Sequence, residues 1–251
     1  MIEVAHGDAI ERHVQDLRSD GYAIFRGVIE PEWVVSLRRL REVAVNDWRY
    51  TSGLELIPDA VGAMLERAPR IIFPLVSHPL LVGFAEAVMG PVVQLDSSVL
   101  AGDPPSSAEE VNGPVRWHRD RFGFIPPGEY VKPASIVFIG YLQDMTPEMG
   151  QLRVIPGSHR RPDQLPASGL HSDAEGERRL ELEAGDIVAL HHNILHSGGM
   201  NTSDRERRFF GFIYNVSMLR QEDDFDGPKL SRAPRIRRSM SRSATDATAR
   251  R

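Results

Sequence analysis

The chain of 251 residues contains no cysteine. Disulfides, thiolate nucleophiles and zinc–thiolate centres are therefore excluded, and any metal ion must be bound by His, Asp or Glu. Lysine is nearly absent as well, since Lys132 and Lys229 are the only two in the sequence. The net charge of −5 does not favour a nucleic-acid-binding surface, so we expect no nucleic-acid partner.

Long apolar runs are also missing. No stretch approaches the about 18 consecutive apolar residues of a membrane span, and the N-terminus lacks a basic region followed by an apolar one. We therefore expect no membrane association and a cytoplasmic location. The hydrophobic fraction of 41% and the charged fraction of 26% are those of an ordinary globular protein.

The length fits one β-rich domain, which we expect over residues 1–220, as a monomer or a homodimer. Residues 221–251 are rich in Arg and Ser. The simplest interpretation of this segment is a solvated, partly disordered tail, and a patch that binds nucleic acid or membrane is the alternative.

Helical spacing of apolar residues predominates before Gly90. It predicts three helices, with Asp8 as the N-cap of the first, Gly21 just after its end, and Pro31 at the first position of the second. Residues 47–77 follow no regular pattern. The predicted helices cover about residues 8–18, 31–43 and 78–89.

After Gly90 an alternating pattern replaces the helical one, and it predicts strands at residues 93–100, around 118, and at 134–142, 151–155, 187–190 and 208–216. In the first of these, the alternation puts Gln94, Asp96 and Ser98 on one polar face. Helices followed by many short strands predict a mainly β fold with flanking α-helices, for which a double-sheet jelly roll fits best. The mouth of such a fold can hold a small ligand.

A candidate metal site lies at His118-Arg119-Asp120. On a strand, His118 and Asp120 point to the same face. His6-Asp8 and His171-Asp173 have the same spacing, but the first begins a helical pattern and the second lies in a polar run without strand periodicity. A distant His196 would complete a set of two histidines and one carboxylate, which leaves half of an octahedral ion open.

Two further histidines, His191 and His192, compete with His196 for the third position. The small residues 197–199 after His196 permit a tight turn beside a metal ion. His191 is better interpreted as a buried histidine of the core or beside the site. His159 is expected to bond locally within its own turn.

Four segments, taken in order, resemble the phytanoyl-CoA dioxygenase family of iron(II)- and 2-oxoglutarate-dependent oxygenases. They are Trp117-His118-Arg119-Asp120; residues 142–159 with Met149-Gly150-Gln151-Leu152 and Pro156-Gly157-Ser158-His159; Gly185-Asp186-Ile187-Val188; and His196-Ser197-Gly198-Gly199-Met200-Asn201 with Arg207. The resemblance extends over about residues 8–217. It implies a double-stranded β-helix, cupin-like core, with iron(II) bound by His118, Asp120 and His196.

The resemblance also implies that dioxygen is a co-substrate and that Arg207, eleven residues after His196, anchors 2-oxoglutarate. A guanidinium suits this task because it binds a carboxylate with two parallel hydrogen bonds. Arg205 and Arg208 are its rivals. Gln94 and Ser98 are candidates for further hydrogen bonds to the 2-oxo acid.

Two positions differ from some family members: Asp103 stands where these have Lys, and Gly198 where they have Ser. The carboxylate at Asp120 favours oxygenation over halogenation, because related halogenases have a small residue at that position.

The reaction implied is hydroxylation, desaturation or ring closure at an aliphatic carbon of a small molecule, as in secondary metabolism. Its pocket could include Trp48, Tyr50, Arg116, Arg121, Phe122 and Phe124, although core packing is the simpler use of the two aromatics at 48 and 50. Two alternatives remain, a jelly-roll protein that binds a small molecule without catalysis, and a zinc-dependent hydrolase or isomerase on the same three ligands.

Overall fold

The computed structural model describes residues 2–47, 60–106, 115–120, 132–161 and 172–219, with only the backbone for residues 2–9 and 45–47. Several predictions fall outside these ranges: the C-terminal tail, His171, and the candidate pocket residues Trp48, Tyr50, Arg121, Phe122 and Phe124.

Apart from one short strand at Tyr22–Phe25, helices come first along the chain and strands follow, as the change of period predicts. The helices are α1 (Ile2–Asp20), α2 (Pro31–Asp47), α3 (Met64–Arg67), α4 (Pro69–Val76) and α5 (Pro79–Met89). The strands are β1 (Tyr22–Phe25), β2 (Val93–Asp103), β3 (Ser135–Tyr141), β4 (Leu152–Val154), β5 (Arg178–Arg179), β6 (Ile187–His191), β7 (His196–Gly198) and β8 (Arg207–Val216).

The helix ends show which local signals operate. Gly21 adopts a φ of +87° and its N–H donates to the Leu17 carbonyl at 3.0 Å, so α1 ends where the sequence predicts. Asp8 lies inside α1, which begins at Ile2, so its prediction as an N-cap is wrong. The unpredicted α3 and α4 are only four and eight residues long, which is shorter than the window over which a helical period can be recognised.

Two antiparallel sheets form the jelly roll. The large sheet has the strand order β1-β6-β3-β8-β2, and the small sheet has the order β5-β4-β7. In the large sheet, residues on alternate sides of each strand enter two separate cores. One core lies against the helices and includes Leu17, Leu37, Phe84, Ile136, Phe138, Phe210, Phe212 and Tyr214. The other lies between the sheets and includes Tyr141, Leu152, Val154, Val188 and Leu190.

Strand β2 contains a bulge at Asp96, where its register with β8 shifts. Gln94 lies opposite Asn215, and Ser98 lies opposite Phe212. Opposed residues share a face, and Asn215 and Phe212 are an odd number of positions apart, so Gln94 and Ser98 point to opposite faces. The prediction that they share one polar face is therefore wrong.

No single helix in the described part of the chain is long and apolar enough to cross a membrane. The pair α4 and α5 passes that test by length and composition when its members are taken together, with a bend of 50° between them. Ile72, Leu75, Leu81 and Phe84 of this pair are buried in the core against the large sheet.

A buried histidine connects α1 to the sheets. The Nε2 atom of His159 lies 3.2 Å from the Arg18 carbonyl oxygen, and its ring is 5.0 Å from that of His191. Since a carbonyl only accepts, Nε2 carries the proton and donates. The prediction of a bond within the turn of His159 is wrong, because its partner is on a helix distant in sequence.

We expect His159 to make the fold sensitive to acid. Burial lowers the pKa of His159 to about 4 from 6.5, so the unfolded chain takes up this proton first as the pH falls, and stability decreases between about pH 6.5 and pH 4. The loss amounts to about 3 kcal/mol at the acid end of this range. Urea denaturation of metal-free protein at several pH values measures it.

In this experiment the variant His159→Gln keeps a side-chain donor for the Arg18 carbonyl and removes the titration. The difference in slope between variant and wild type isolates His159 from the other histidines. Equal slopes over pH 4 to 6.5 would contradict the prediction.

Candidate metal and co-substrate site

His118 and His196 face each other across an isolated antiparallel bridge. The N–H of His118 donates to the His196 carbonyl at 3.0 Å, and the reciprocal bond is 3.1 Å. Opposed residues of such a pair place their side chains on one face, and the two rings lie 4.2 Å apart. Strand β7, which contains His196, pairs in turn with β4. The strand predicted around His118 is therefore reduced to a single bridge, which still pairs this segment with β7.

The residues on either side of His118 anchor this segment from the opposite face. Trp117 is buried, and its indole N–H donates to the Ser172 carbonyl at 2.9 Å. The Arg119 guanidinium donates to the carbonyls of Ser158 and Arg161 at 3.0 and 2.9 Å, and also to that of Asn193. Because Trp117 and Arg119 are held on one face of this extended segment, the side chains of His118 and Asp120 point to the opposite face, towards His196.

Asp120 completes the cluster. Its Oδ1 atom lies 3.8 Å from Nε2 of His118 and 3.5 Å from Nε2 of His196. One ligand atom from each of the three side chains lies within 4.8 Å of the others, and within the described ranges this is the group able to hold a metal ion. Two imidazoles and one carboxylate on one side are the donor set of non-haem iron(II) centres.

Both imidazoles are oriented by backbone carbonyls. Nδ1 of His118 lies 2.8 Å from the Arg116 carbonyl oxygen, and Nδ1 of His196 lies 3.2 Å from that of Ile194. A carbonyl accepts only, so the proton of each neutral ring is on Nδ1. The Nε2 lone pairs are then directed at the centre of the cluster, as metal binding requires.

Electrostatics favour a cation between these groups. Burial and the neighbouring His196 lower the pKa of His118 to about 4, which keeps that ring neutral at physiological pH. Burial by itself would raise the pKa of Asp120, but His196 reverses the shift and holds it below the usual range. Burial opposes a charge on His196, and Asp120 raises its pKa. A bound cation would displace that proton.

The two competing histidines lie elsewhere. His191 lies opposite Ile136 on the helix-facing side of the large sheet, away from the inside of the jelly roll. His192 is buried with Nδ1 3.0 Å from the Ser135 carbonyl oxygen, and it is near enough to Asp120 to lower the pKa of that carboxyl. Neither belongs to the group that could hold a metal ion.

Arg207 begins β8 and is 4% exposed. Its guanidinium lies against Gly198, where an added Cβ would be 2.9 Å from Nη2. Gly198 and His196 are two residues apart on one strand and so face the same side, about 7 Å from each other. This separation between His196 and Gly198 along the strand is comparable to the length of a five-carbon diacid. The absence of a side chain at Gly198 makes room for the guanidinium.

The rival arginines are placed differently. Arg208 forms ion pairs with Glu206 and Glu42 at 2.6 and 3.2 Å, on the outside of the sheet. The Arg205 side chain is 69% exposed. Arg207 is therefore the buried guanidinium on the same side as the triad.

Tyr141 was not singled out by the sequence analysis. Burial raises its pKa, and the charges of Arg207 and Asp103 act on it, so its hydroxyl lies close to the same guanidinium. Its position near the end of the β-prone run at residues 134–142 was the only sequence signal, and many such tyrosines only pack.

The chain's own donors fit both groups that the family resemblance implies. The triad fits iron(II) by its chemistry. Arg207 has a buried Nε atom without a hydrogen-bond partner among the described residues, and such an atom is costly unless a ligand supplies the acceptor. A carboxylate is the acceptor that a guanidinium edge fits best.

The structure does not bring Gln94 and Ser98 to this place. Ser98 faces the helices, where its Oγ accepts the N–H of Leu65 at 3.1 Å. Gln94 is at the opposite end of β2 from Asp103, and its amide donates to the Leu219 carbonyl. Of the candidate pocket residues, Arg116 lies in the described part of the chain, where it is exposed two residues before His118.

Comparison with known proteins gives the family. The model described as phytanoyl-CoA dioxygenase (PhyH) matches residues 17–209. The chain belongs to this family. Among curated relatives, the dioxygenase aneA of Aspergillus aculeatus is 24% identical over 245 residues, covering 88% of this chain and 78% of the relative. The L-proline trans-4-hydroxylase of Streptomyces griseoviridis is 29% identical over 171 residues, covering 56% of this chain and 61% of the relative.

A solved structure shares the fold. The epimerase SnoN, in complex with Fe3+, alpha-ketoglutarate and nogalamycin RO, superposes with a TM-score of 0.67 at 21% identity, over 89% of this chain and 98% of that one. The predicted family, the jelly-roll fold with flanking helices, and the class of iron- and 2-oxoglutarate-dependent dioxygenase are confirmed.

Proposed function

We propose that this family member oxidises an aliphatic carbon of a small molecule, with iron(II) bound by His118, Asp120 and His196 and with 2-oxoglutarate anchored by Arg207. A single arrangement carries the proposal: His118 and His196 are opposed across a bridge, and the Arg207 guanidinium lies against Gly198, two residues after His196 on β7. An ion at the triad and a carboxylate at Arg207 would then be separated by the length of a 2-oxo diacid.

The chain's own residues have distinct tasks in this function. His118 and His196 present Nε2 because carbonyls hold their Nδ1 protons. Asp120 supplies the negative charge that a divalent cation needs. When bound, iron(II) with 2-oxoglutarate and dioxygen supplies the oxidising power, releasing carbon dioxide and succinate and inserting one oxygen atom into substrate or removing hydrogen from it. Leu152, Val154, Val188 and Leu190 line the space between the sheets and exclude water.

The substrate we infer is a small molecule of secondary metabolism. SnoN carries nogalamycin RO in its solved complex, and a relative in Streptomyces griseoviridis is an L-proline hydroxylase. The carboxylate of Asp120 would serve as a metal ligand where a halogenase needs room for a halide, which supports oxygenation. Hydroxylation, desaturation and ring closure all begin with removal of hydrogen from carbon, so the triad fits each of them.

An anaerobic titration tests the proposal. Iron(II) and 2-oxoglutarate added to the wild-type protein should produce a visible charge-transfer band that neither produces separately. In air, the same mixture should release succinate, and a panel of small molecules that includes L-proline should identify compounds that accelerate the release.

Two outcomes would favour the alternatives. A protein that binds a compound from the panel but yields neither the band nor succinate is a binding protein. Turnover that zinc supports without dioxygen would indicate a hydrolase or isomerase.

A further inference from the structure

The guanidinium of Arg207 already has several partners within the protein. Nη1 donates to the carbonyls of Gly199, at 2.8 Å, and Gly150. Nη2 forms an ion pair with Oδ2 of Asp103 at 2.6 Å. Only Nε has no partner among the described residues. A carboxylate can bind with two parallel bonds either to Nη1 and Nη2 or to Nε and Nη2. Nη1 is taken by the carbonyls, and Asp103 holds the Nη2 atom that both arrangements require.

The ion pair is built into the sheet. Asp103 is the last residue of β2 and lies directly opposite Arg207 in the register with β8. The Asp103 carbonyl accepts the amide of the fully buried Asn201 at 2.9 Å, so its backbone is fixed. The Asp103 side chain keeps 22% exposure, compared with 4% for that of Arg207. The carboxylate can therefore rotate towards solvent while the guanidinium stays in place.

Among the described residues, the cation that forms an ion pair with Asp103 is Arg207. The nearby Glu206 carboxylate is itself paired with Arg41 and Arg208, both at 2.7 Å or less. Two carboxylates close to one guanidinium repel each other, and the interior position strengthens the repulsion. The carboxylate of a ligand would be a third negative group beside Arg207, and its binding would be unfavourable unless the Asp103 side chain moves away.

We infer that Asp103 competes with the far carboxylate of 2-oxoglutarate for Arg207, and thereby sets the affinity of this enzyme for its co-substrate. The inference rests on the proposed function. In the free protein, Asp103 neutralises a buried guanidinium that would otherwise be unpaired. On binding, the co-substrate takes over Nη2 together with the vacant Nε, and part of its binding free energy is spent on displacing Asp103.

The competition predicts a specific dependence on ligand charge. 2-Oxopentanoate has the same carbon chain as 2-oxoglutarate without the far carboxylate, so it does not displace Asp103. Replacement of Asp103 by Asn should tighten 2-oxoglutarate about tenfold, within the usual range of coupling between two sites. The affinity for 2-oxopentanoate should change less than about twofold, which is a negligible coupling on the same scale.

The experiment measures dissociation constants of both acids for the iron(II)-loaded protein without oxygen, by calorimetry and by the charge-transfer band. Asp204→Asn is the matched control, because it removes the same charge three residues from Arg207, at a side chain that is 94% exposed. It should alter neither constant. Asp103→Ser provides a second variant should Asp103→Asn fold poorly, as judged by its melting temperature.

Each result decides between competition and its absence. Weaker binding of 2-oxoglutarate by both Asp103 variants would overturn the inference, since Asp103 would then orient Arg207 in its binding state. Equal changes for both acids, or none, would overturn it as well, while the proposed function would stand. A wild-type protein that gives no band with either acid would overturn the proposed function itself and the inference with it.

Discussion

Replacement of His196 by alanine is expected to abolish succinate formation. The substitution removes one of the three proposed protein ligands, and the two that remain do not enclose an ion. Loss of a residue that only supports a metal ligand lowers affinity or activity by about 10- to 100-fold, so loss of a ligand should exceed about 100-fold. Anaerobic titration with iron(II) and 2-oxoglutarate should show no charge-transfer band at concentrations that saturate the wild type.

The matched control for this substitution is His13→Ala, which removes an imidazole from α1, where it contacts the ring of Phe25 at 4.1 Å. This variant should keep the band and the iron affinity. A His196→Ala protein that is folded, binds iron as the wild type does and still releases succinate would refute the ligand assignment.

Replacement of Arg207 by lysine should weaken 2-oxoglutarate binding by at least about tenfold and leave iron affinity unchanged. Lysine keeps the positive charge, so Asp103 retains a partner and the fold should persist. It loses the planar, two-pronged edge that a carboxylate fits. The expected signature is a higher KM for 2-oxoglutarate with little effect on the KM for the primary substrate. Steady-state succinate assays separate the two.

Lysine is a better test than alanine at this position. Removal of one partner of a buried ion pair leaves the other charge uncompensated, at a cost of about 3–5 kcal/mol, and unfolding would then obscure the binding effect. Arg205→Lys is the control, because Arg205 is exposed and close in sequence. Equal effects of the two substitutions would show that Arg207 does not contact the co-substrate.

Local sequence rules were sufficient for much of the fold. Proline at the start of a helix, glycine after its end and the change from helical to alternating period indicated α1, α2, α5 and most strands. These features depend on residues a few positions apart, so a linear sequence contains them. The short helices α3 and α4 were missed because four and eight residues are too few to show a helical period.

The spacing of His118 and Asp120 could not by itself identify a candidate metal site, because two other histidines stand two residues before an aspartate. Similarity to the family in four ordered segments favoured this pair and favoured His196 over its neighbours. The structure adds the physical reason: His118 and His196 are opposed across a bridge, and opposed residues share a face.

The prediction about Gln94 and Ser98 failed for a reason that no local pattern reveals. A bulge at Asp96 reverses the alternation within one strand, and a bulge is defined by the partner strand. His159 likewise bonds to a helix more than a hundred residues away.

The sequence by itself indicated the family, the helix-then-strand order, the three candidate metal ligands and the candidate co-substrate arginine, because these depend on residue type and on spacing along the chain. The tertiary structure alone decided which residues contact each of these side chains. Pairing of β2 with β8 places Asp103 against Arg207, and such pairing arises from the register between strands that are far apart in sequence.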